Sequence, residues 1–350
     1  MSNPDSTKKV FFLGAGFSKA INHKYPLLSE LNEEIKPNII KGELFKCYRN
    51  ICSKIGENIE ELLAYLSLDL PWKTEYTKTL DKALYIDITK NISATINSLN
   101  TMPDKYDYDQ EQEQVRLLAD FIKENLSLCL TLNYDTLLEK IIFSKKDENY
   151  QRSNGYEGFY KVPIQSVADR WKISTSAKWG FGSEDPKGKK LPTILKLHGS
   201  INWMWAGISP SDPIYCSDKN DSIQEINNSV LELQPFIVPP ALDKNSFYNN
   251  NILKSIWSLA YKGLMKSKEI YIIGFSLPDS DISIKYFFKE VMSKNKDRNT
   301  SSTIYVINTD ESDELKKRYK NVFPEESLNF DYCCQYAFDR FVKEKLSANL

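Results

Sequence analysis

Six short apolar runs, each rich in β-branched or aromatic residues, recur along this chain: KVFFLG (9–14), LSLCLTLNY (126–134), TILKLHG (193–199), FIVPP (236–240), EIYIIGF (269–275) and TIYVIN (303–308). Runs of this length and composition read as buried strands. Amphipathic stretches lie between several of them: DTLLEKIIFSK (135–145), NILKSIWSLAYKGLMKSK (251–268), DISIKYFFKEVMSK (281–294) and DELKKRYKNVF (313–323). Apolar strands alternating with amphipathic helices leave few solutions. The strands must be covered on both faces, and crossovers of this kind join parallel neighbours. The expected fold class is α/β, a parallel sheet with helices on both faces.

Residues 42–120 have a different texture, with helical periodicity in NIEELLAYLSL and KALYIDITKNISATINSL and no strand pattern. They read as an all-helical insertion between the first two strands, so that 1–41 and 121–350 form the sheet domain. Residues 146–190 are polar and rich in Gly, Ser and Lys, which predicts long loops. With 350 residues the chain can bury a large core, and its net charge of −1 supplies no global field for nucleic acid or an anionic membrane. The polar start MSNPDSTKK lacks an apolar leader, and no run is long enough to span a bilayer, so a cytoplasmic protein is expected. Six irregularly spaced cysteines suggest buried thiols, neither a disulfide framework nor a zinc site.

Ligands of open parallel sheets bind beyond the carboxyl ends of the strands, and the residues there are unusual. The first strand runs into GAGFS, where Gly14, Ala15, Gly16 and Ser18 make either a phosphate-holding turn or a tight corner; the third glycine of the usual dinucleotide fingerprint is absent. The second ends in TLNYDT. Asp135 suits a helix cap, whereas Asn133, two residues earlier, has no capping role and should point its amide into the crevice. The third ends in LKLHGS, placing His198, one of only two histidines, where a sheet presents side chains to ligand. An imidazole there is either structural or a proton acceptor near neutral pH. GFS (274–276) offers the backbone of Gly274 and the hydroxyl of Ser276, and VIN (306–308) ends in Asn308.

Taken in order, GAGFS, TLNYD, LKLHGS, GFSL and VIN resemble the sirtuin family over roughly 8–40, 120–145 and 190–320. The resemblance implies a Rossmann-like NAD-binding domain. It carries the pyrophosphate to the Gly14–Ser18 turn, the nicotinamide ribose to Asn133 and His198, the nicotinamide pocket towards Asp135, and the adenosine to Gly274, Ser276 and Asn308. Deacylating sirtuins have two Cys-x-x-Cys pairs for a structural zinc after the histidine; here that stretch holds only Cys216, so no zinc is expected. What remains resembles the bacterial sirtuin-like proteins of antiviral defence, which hydrolyse NAD.

That resemblance implies an NAD glycohydrolase releasing nicotinamide and ADP-ribose, with Asn133 orienting the ribose and water and His198 acting as base. Trp203 and Trp205 could stack on nicotinamide or pack beneath the loop, and packing is the favoured reading. A protein-lysine deacylase and a non-catalytic sensor of NAD or ADP-ribose are the alternatives. An unrestrained hydrolase would harm its host, so control through a homo-oligomer or a separate chain is expected, by analogy a HerA-type hexameric ATPase. No direct nucleic-acid or membrane partner is expected.

Overall fold

The computed structural model describes residues 9–35, 43–100, 113–142, 191–205, 249–297 and 301–349, with shorter pieces at 160, 165–168, 172–174, 212, 214–216 and 234–238. Its strands are β1 (Lys9–Leu13), β2 (Leu128–Thr131), β3 (Gln165–Ala168), β4 (Lys172–Ser174), β5 (Thr193–Lys196), β6 (Gly199–Trp205), β7 (Tyr215–Cys216), β8 (Gln234–Ile237), β9 (Glu269–Ile273), β10 (Thr303–Asn308) and β11 (Leu328–Cys333). The helices used below are α1 (Ala15–Ile21), α2 (Leu28–Ile35), α3 (Glu43–Ile55), α4 (Ile59–Ser67), α5 (Glu75–Asn100), α6 (Glu113–Glu124), α7 (Leu137–Ile142), α8 (Asn251–Leu264), α9 (Ile282–Asp297), α10 (Asp313–Lys320) and α11 (Ala337–Phe341).

Six strands form the main sheet in the order β11-β10-β9-β1-β2-β5, and every pairing is parallel. The α/β class expected from the apolar runs is therefore present. Counted along the chain, this is the 3-2-1-4-5-6 order of a doubly wound dinucleotide fold, reversing direction between β1 and β9. Val10 sits opposite Leu128 on one side and Ile270 on the other, at the centre of the sheet. Both faces of β1 are covered because successive side chains alternate. Phe11 packs on Phe121 of α6 and on Tyr271, at centroid distances of 6.1 and 5.0 Å. Phe12 packs on the opposite face against Phe275 and Phe288 of α9, at 5.4 and 5.0 Å. Burying an aromatic side chain stabilises by roughly 1.5–3 kcal/mol, which accounts for the continuous hydrophobicity of KVFFL.

Four details differ from the pattern read in the sequence. The run at 236–240 does not join the parallel sheet: β8 pairs antiparallel with β6 in a second, five-stranded sheet, β4-β3-β7-β6-β8. The cause lies at Gly199, whose φ of +76° turns the chain so soon after β5 that β6 leaves the main sheet; a Cβ there would stand 2.1 Å from the Phe236 carbonyl oxygen. Within the polar stretch taken as loop, β3 and β4 pair antiparallel. The edge strand β11 is half polar and only partly buried, so LNFDYC carries no strand signal. Helix α6, whose first residues fall inside the stretch read as insertion, packs on the main sheet through Phe121. The helical layer proper is α3, α4 and α5, closed around Leu62, Leu63, Leu84, Ile88 and Ile92.

Candidate ligand cleft at the sheet's switch point

The two glycine turns meet where the strand order reverses. Gly14 donates its N–H to the Ile273 carbonyl at 3.0 Å, and Gly16 donates to the Gly274 carbonyl at 2.9 Å. Gly274 has a φ of +63°, and a Cβ on it would lie 2.2 Å from the Phe17 nitrogen. A Cβ on Gly14 would stand 2.6 Å from the Gly274 oxygen. The glycines thus let two backbones touch at the switch point. The position where the usual fingerprint has its third glycine is Lys19, which forms an ion pair with Glu30 at 2.5 Å.

Beside this joint lies a cleft of about 750 Å³, within the size range of small-molecule sites. Its lining brings together all ten residues singled out in the sequence: Gly14, Ala15, Gly16, Ser18, Asn133, Asp135, His198, Gly274, Ser276 and Asn308. They come from five strand ends and the turns that follow. The helical layer forms part of the wall through Glu57, Asn58, Ile59, Glu60 and Ile96. Among the described lining residues the charged groups are Glu57, Glu60, Asp135 and Asp281, with no lysine or arginine.

The polar side chains are chained together. Asn133 Nδ2 donates to the Gly14 carbonyl and to Ser18 Oγ, both at 2.9 Å. The Ser18 hydroxyl donates to Asp135 Oδ2 at 2.7 Å, and Asp135 Oδ1 accepts the Leu137 N–H at 2.9 Å. A carbonyl can only accept, so the amide orientation of Asn133 is set by Gly14. Both its N–H groups are therefore occupied, contrary to an amide aimed into the crevice, and Oδ1 is the remaining polar atom of that side chain. Asp135 combines the two readings open in the sequence: it caps the start of α7 and lines the cleft.

His198 follows β5, is 5% exposed, and accepts the Val238 N–H on its backbone carbonyl at 2.8 Å. Tyr134 joins this segment to the Asn133 loop. Its carbonyl accepts the Ile201 N–H at 2.9 Å, and its hydroxyl donates to the Val238 carbonyl at 2.5 Å. At the far end of the cleft, the Phe275 carbonyl accepts from Asn308 Nδ2 at 3.2 Å and from the Tyr319 hydroxyl at 2.7 Å. Burial pushes the Tyr319 hydroxyl well above its ordinary range, so it stays a donor. Hydrogen bonds from the Ser312 side chain and backbone hold the Asp310 carboxyl below its ordinary value. Trp203 is fully buried and stacks near Phe236 at 6.4 Å, in line with a packing role.

Sequence reasoning missed Tyr134, the wall supplied by the helical layer, and Lys196. Lys196 is 1% exposed in β5, donates to the Asp135 backbone carbonyl, and pairs with Glu139 at 3.3 Å. A charged residue inside the apolar run TILKLHG is the signal that marks it. The stretch around the expected zinc departure, 217–233, lies outside the described residues.

The order of the strands, the glycine joint and the cleft over their carboxyl ends define a doubly wound α/β protein with its ligand crevice at the switch point. Residues 127–328, more than half of the chain, match the family described as SIR2-like domain, and the chain belongs to that family. Solved structures similar to it include Sir2Tm bound to a propionylated peptide, at 11% identity over 96% of this chain and 92% of that one, with a TM-score of 0.40. A Sir2 complex with a p53 peptide and NAD+ matches at 12% identity over 96% and 92%, with a TM-score of 0.39. No curated protein matches the chain.

Proposed function

We propose that the chain is an NAD glycohydrolase, cleaving NAD and water to nicotinamide, ADP-ribose and a proton. The observation that carries this reading is that Asn133 and His198 line one cleft with both glycine turns in a SIR2-like protein. Breaking the bond from nicotinamide to ribose leaves positive charge on the sugar, as in other glycosidic cleavages. A cleft whose described charged lining groups are carboxylates suits that charge. The nicotinamide of NAD leaves as a neutral molecule and needs no general acid. The protein has to hold the ribose and direct a water. Asn133 Oδ1 is an acceptor able to take a hydrogen from that water or a ribose hydroxyl, and His198 is the base that receives the proton.

The role we infer is a defence effector that depletes NAD during phage infection, restrained by self-association or by a partner chain such as a HerA-type ATPase. The test is nicotinamide release from NAD by the purified chain, with its oligomeric state measured alongside. His198→Ala should lower the rate about 100-fold or more, with a small fall in melting temperature because the truncated residue is 5% exposed. Asn133→Ala should do the same while losing about 1–2 kcal/mol of stability, because it also breaks two ties to the glycine turn. Undiminished release by His198→Ala would sink the assignment. NAD consumption only in the presence of an acylated peptide would replace hydrolysis with deacylation, and a fully active monomer would remove the proposed restraint.

A further inference from the structure

The sheet carries a buried cation that the proposed chemistry does not use. Lys196 ends β5, and Glu139, in α7, is fully buried; their side chains approach to 3.3 Å. Glu139 Oε1 also accepts the Tyr160 hydroxyl at 2.8 Å. Lys196 Nζ donates in addition to the backbone carbonyl of Asp135. Removing two such charges from water costs several kcal/mol per ion, and a buried pair of this kind is often replaceable by apolar residues without loss of stability. Stability alone is therefore a poor account of it.

The connectivity supplies a better one. Lys196 is two residues from His198 along the chain, and its hydrogen bond grips the backbone two residues from Asn133. From Asp135 the network continues through Ser18 to Asn133 and the Gly14 carbonyl. We propose that Lys196, neutralised by Glu139, is a positioning residue that fixes the Asn133 loop against the His198 segment. It touches no reacting atom. Its ammonium supplies a donor at a backbone carbonyl that a methyl-ended side chain of the same length would leave unpaired, and the loop would then relax. This inference rests on the NAD hydrolase reading only for its kinetic consequence.

The discriminating variant is the pair Lys196→Met with Glu139→Leu, made in a Tyr160→Phe parent so that the hydroxyl held by Glu139 is not left unpaired; it removes both charges and keeps the volume. It should melt near the parent temperature and bind NAD with a KM within about threefold, while kcat for nicotinamide release falls roughly ten- to a hundredfold, the scale of a catalytic group displaced by about 1 Å. Amide hydrogen exchange over residues 131–137 should quicken about tenfold or more, with the central strands unchanged. Lys196→Met alone leaves the Glu139 charge buried without its cation, and should lower stability as well. Native exchange over 131–137 in the double variant, or a parent-like kcat, overturns the proposal. So does a double variant that fails to fold, since the pair would then be structural support. If the parent chain releases no nicotinamide, the hydrolase reading fails, and the exchange measurement still decides the role of Lys196.

Discussion

At the residue scale, two glycines with positive φ separate backbone freedom from close approach. Gly56 has a φ of +88° and no atom of the described residues within 4 Å of where a Cβ would stand, whereas Gly274, at +63°, has three backbone atoms within 2.6 Å. Gly56→Ala should cost about 1 kcal/mol, the conformational penalty alone. Gly274→Ala must also push two backbones apart, and should cost about 3 kcal/mol or more. Thermal melting of the two variants measures the difference; equal losses would mean that the switch-point joint is not tightly packed. The sequence marks Gly274 only as a strand-end residue that offers its backbone to a ligand. It could not show that the partner of each glycine turn is the other. Asn133 illustrates the same limit. Its identity was legible as polar and out of place, but only Gly14 and Ser18, more than a hundred residues away along the chain, reveal that its N–H groups are already occupied.

At the scale of elements, the parallel strands were readable because burial on both faces leaves an unbroken apolar run, as in TIYVIN, whose limits match β10. Elements without such a run were not. β11 mixes polar and apolar residues, and β3 and β4 sit in a polar stretch, so period and composition gave no warning. The helices of the insertion were recognisable as helices, yet their place on the cleft wall depends on tertiary packing. Asn58 gives that wall a testable handle. Its side chain accepts the N–H groups of Glu60 and Glu61 and caps α4. Asn58→Ala should lower stability by about 1 kcal/mol and loosen a turn that lines the cleft. Under the proposed function, KM for NAD should then rise more than kcat falls; an unchanged KM would detach this turn from substrate binding.

For the whole molecule, one polar cluster ties the carboxy-terminal segment to the opening of the main sheet. Lys345 Nζ donates to Glu269 and to the Tyr305 hydroxyl, each at 2.9 Å, and the Tyr271 hydroxyl donates to Glu269 at 2.9 Å. Burial alone would raise the Glu269 carboxyl, but the hydrogen bonds from Lys345 and Tyr271 outweigh it and hold the group below its ordinary value of 4.5. A carboxyl depressed on folding contributes stability above its unfolded value, and that contribution is lost as pH falls through the lower folded value. Unfolding free energy should therefore decline below about pH 4.5, and Glu269→Gln should flatten part of that decline; an identical pH profile in the variant would place the acid sensitivity elsewhere. The strand order has a consequence in time as well as in space. β1 is made first, yet one of its two neighbours is β9, which begins 260 residues later, and the cleft also needs Asn308. Such long-range pairing is slow to form, and a chain emerging from the ribosome has no finished cleft until the residues through Asn308 have been made. Products that stop short of Asn308 would consequently lack the completed pocket, so that under the proposed function nicotinamide release would begin only after the strands on both sides of β1 have been made.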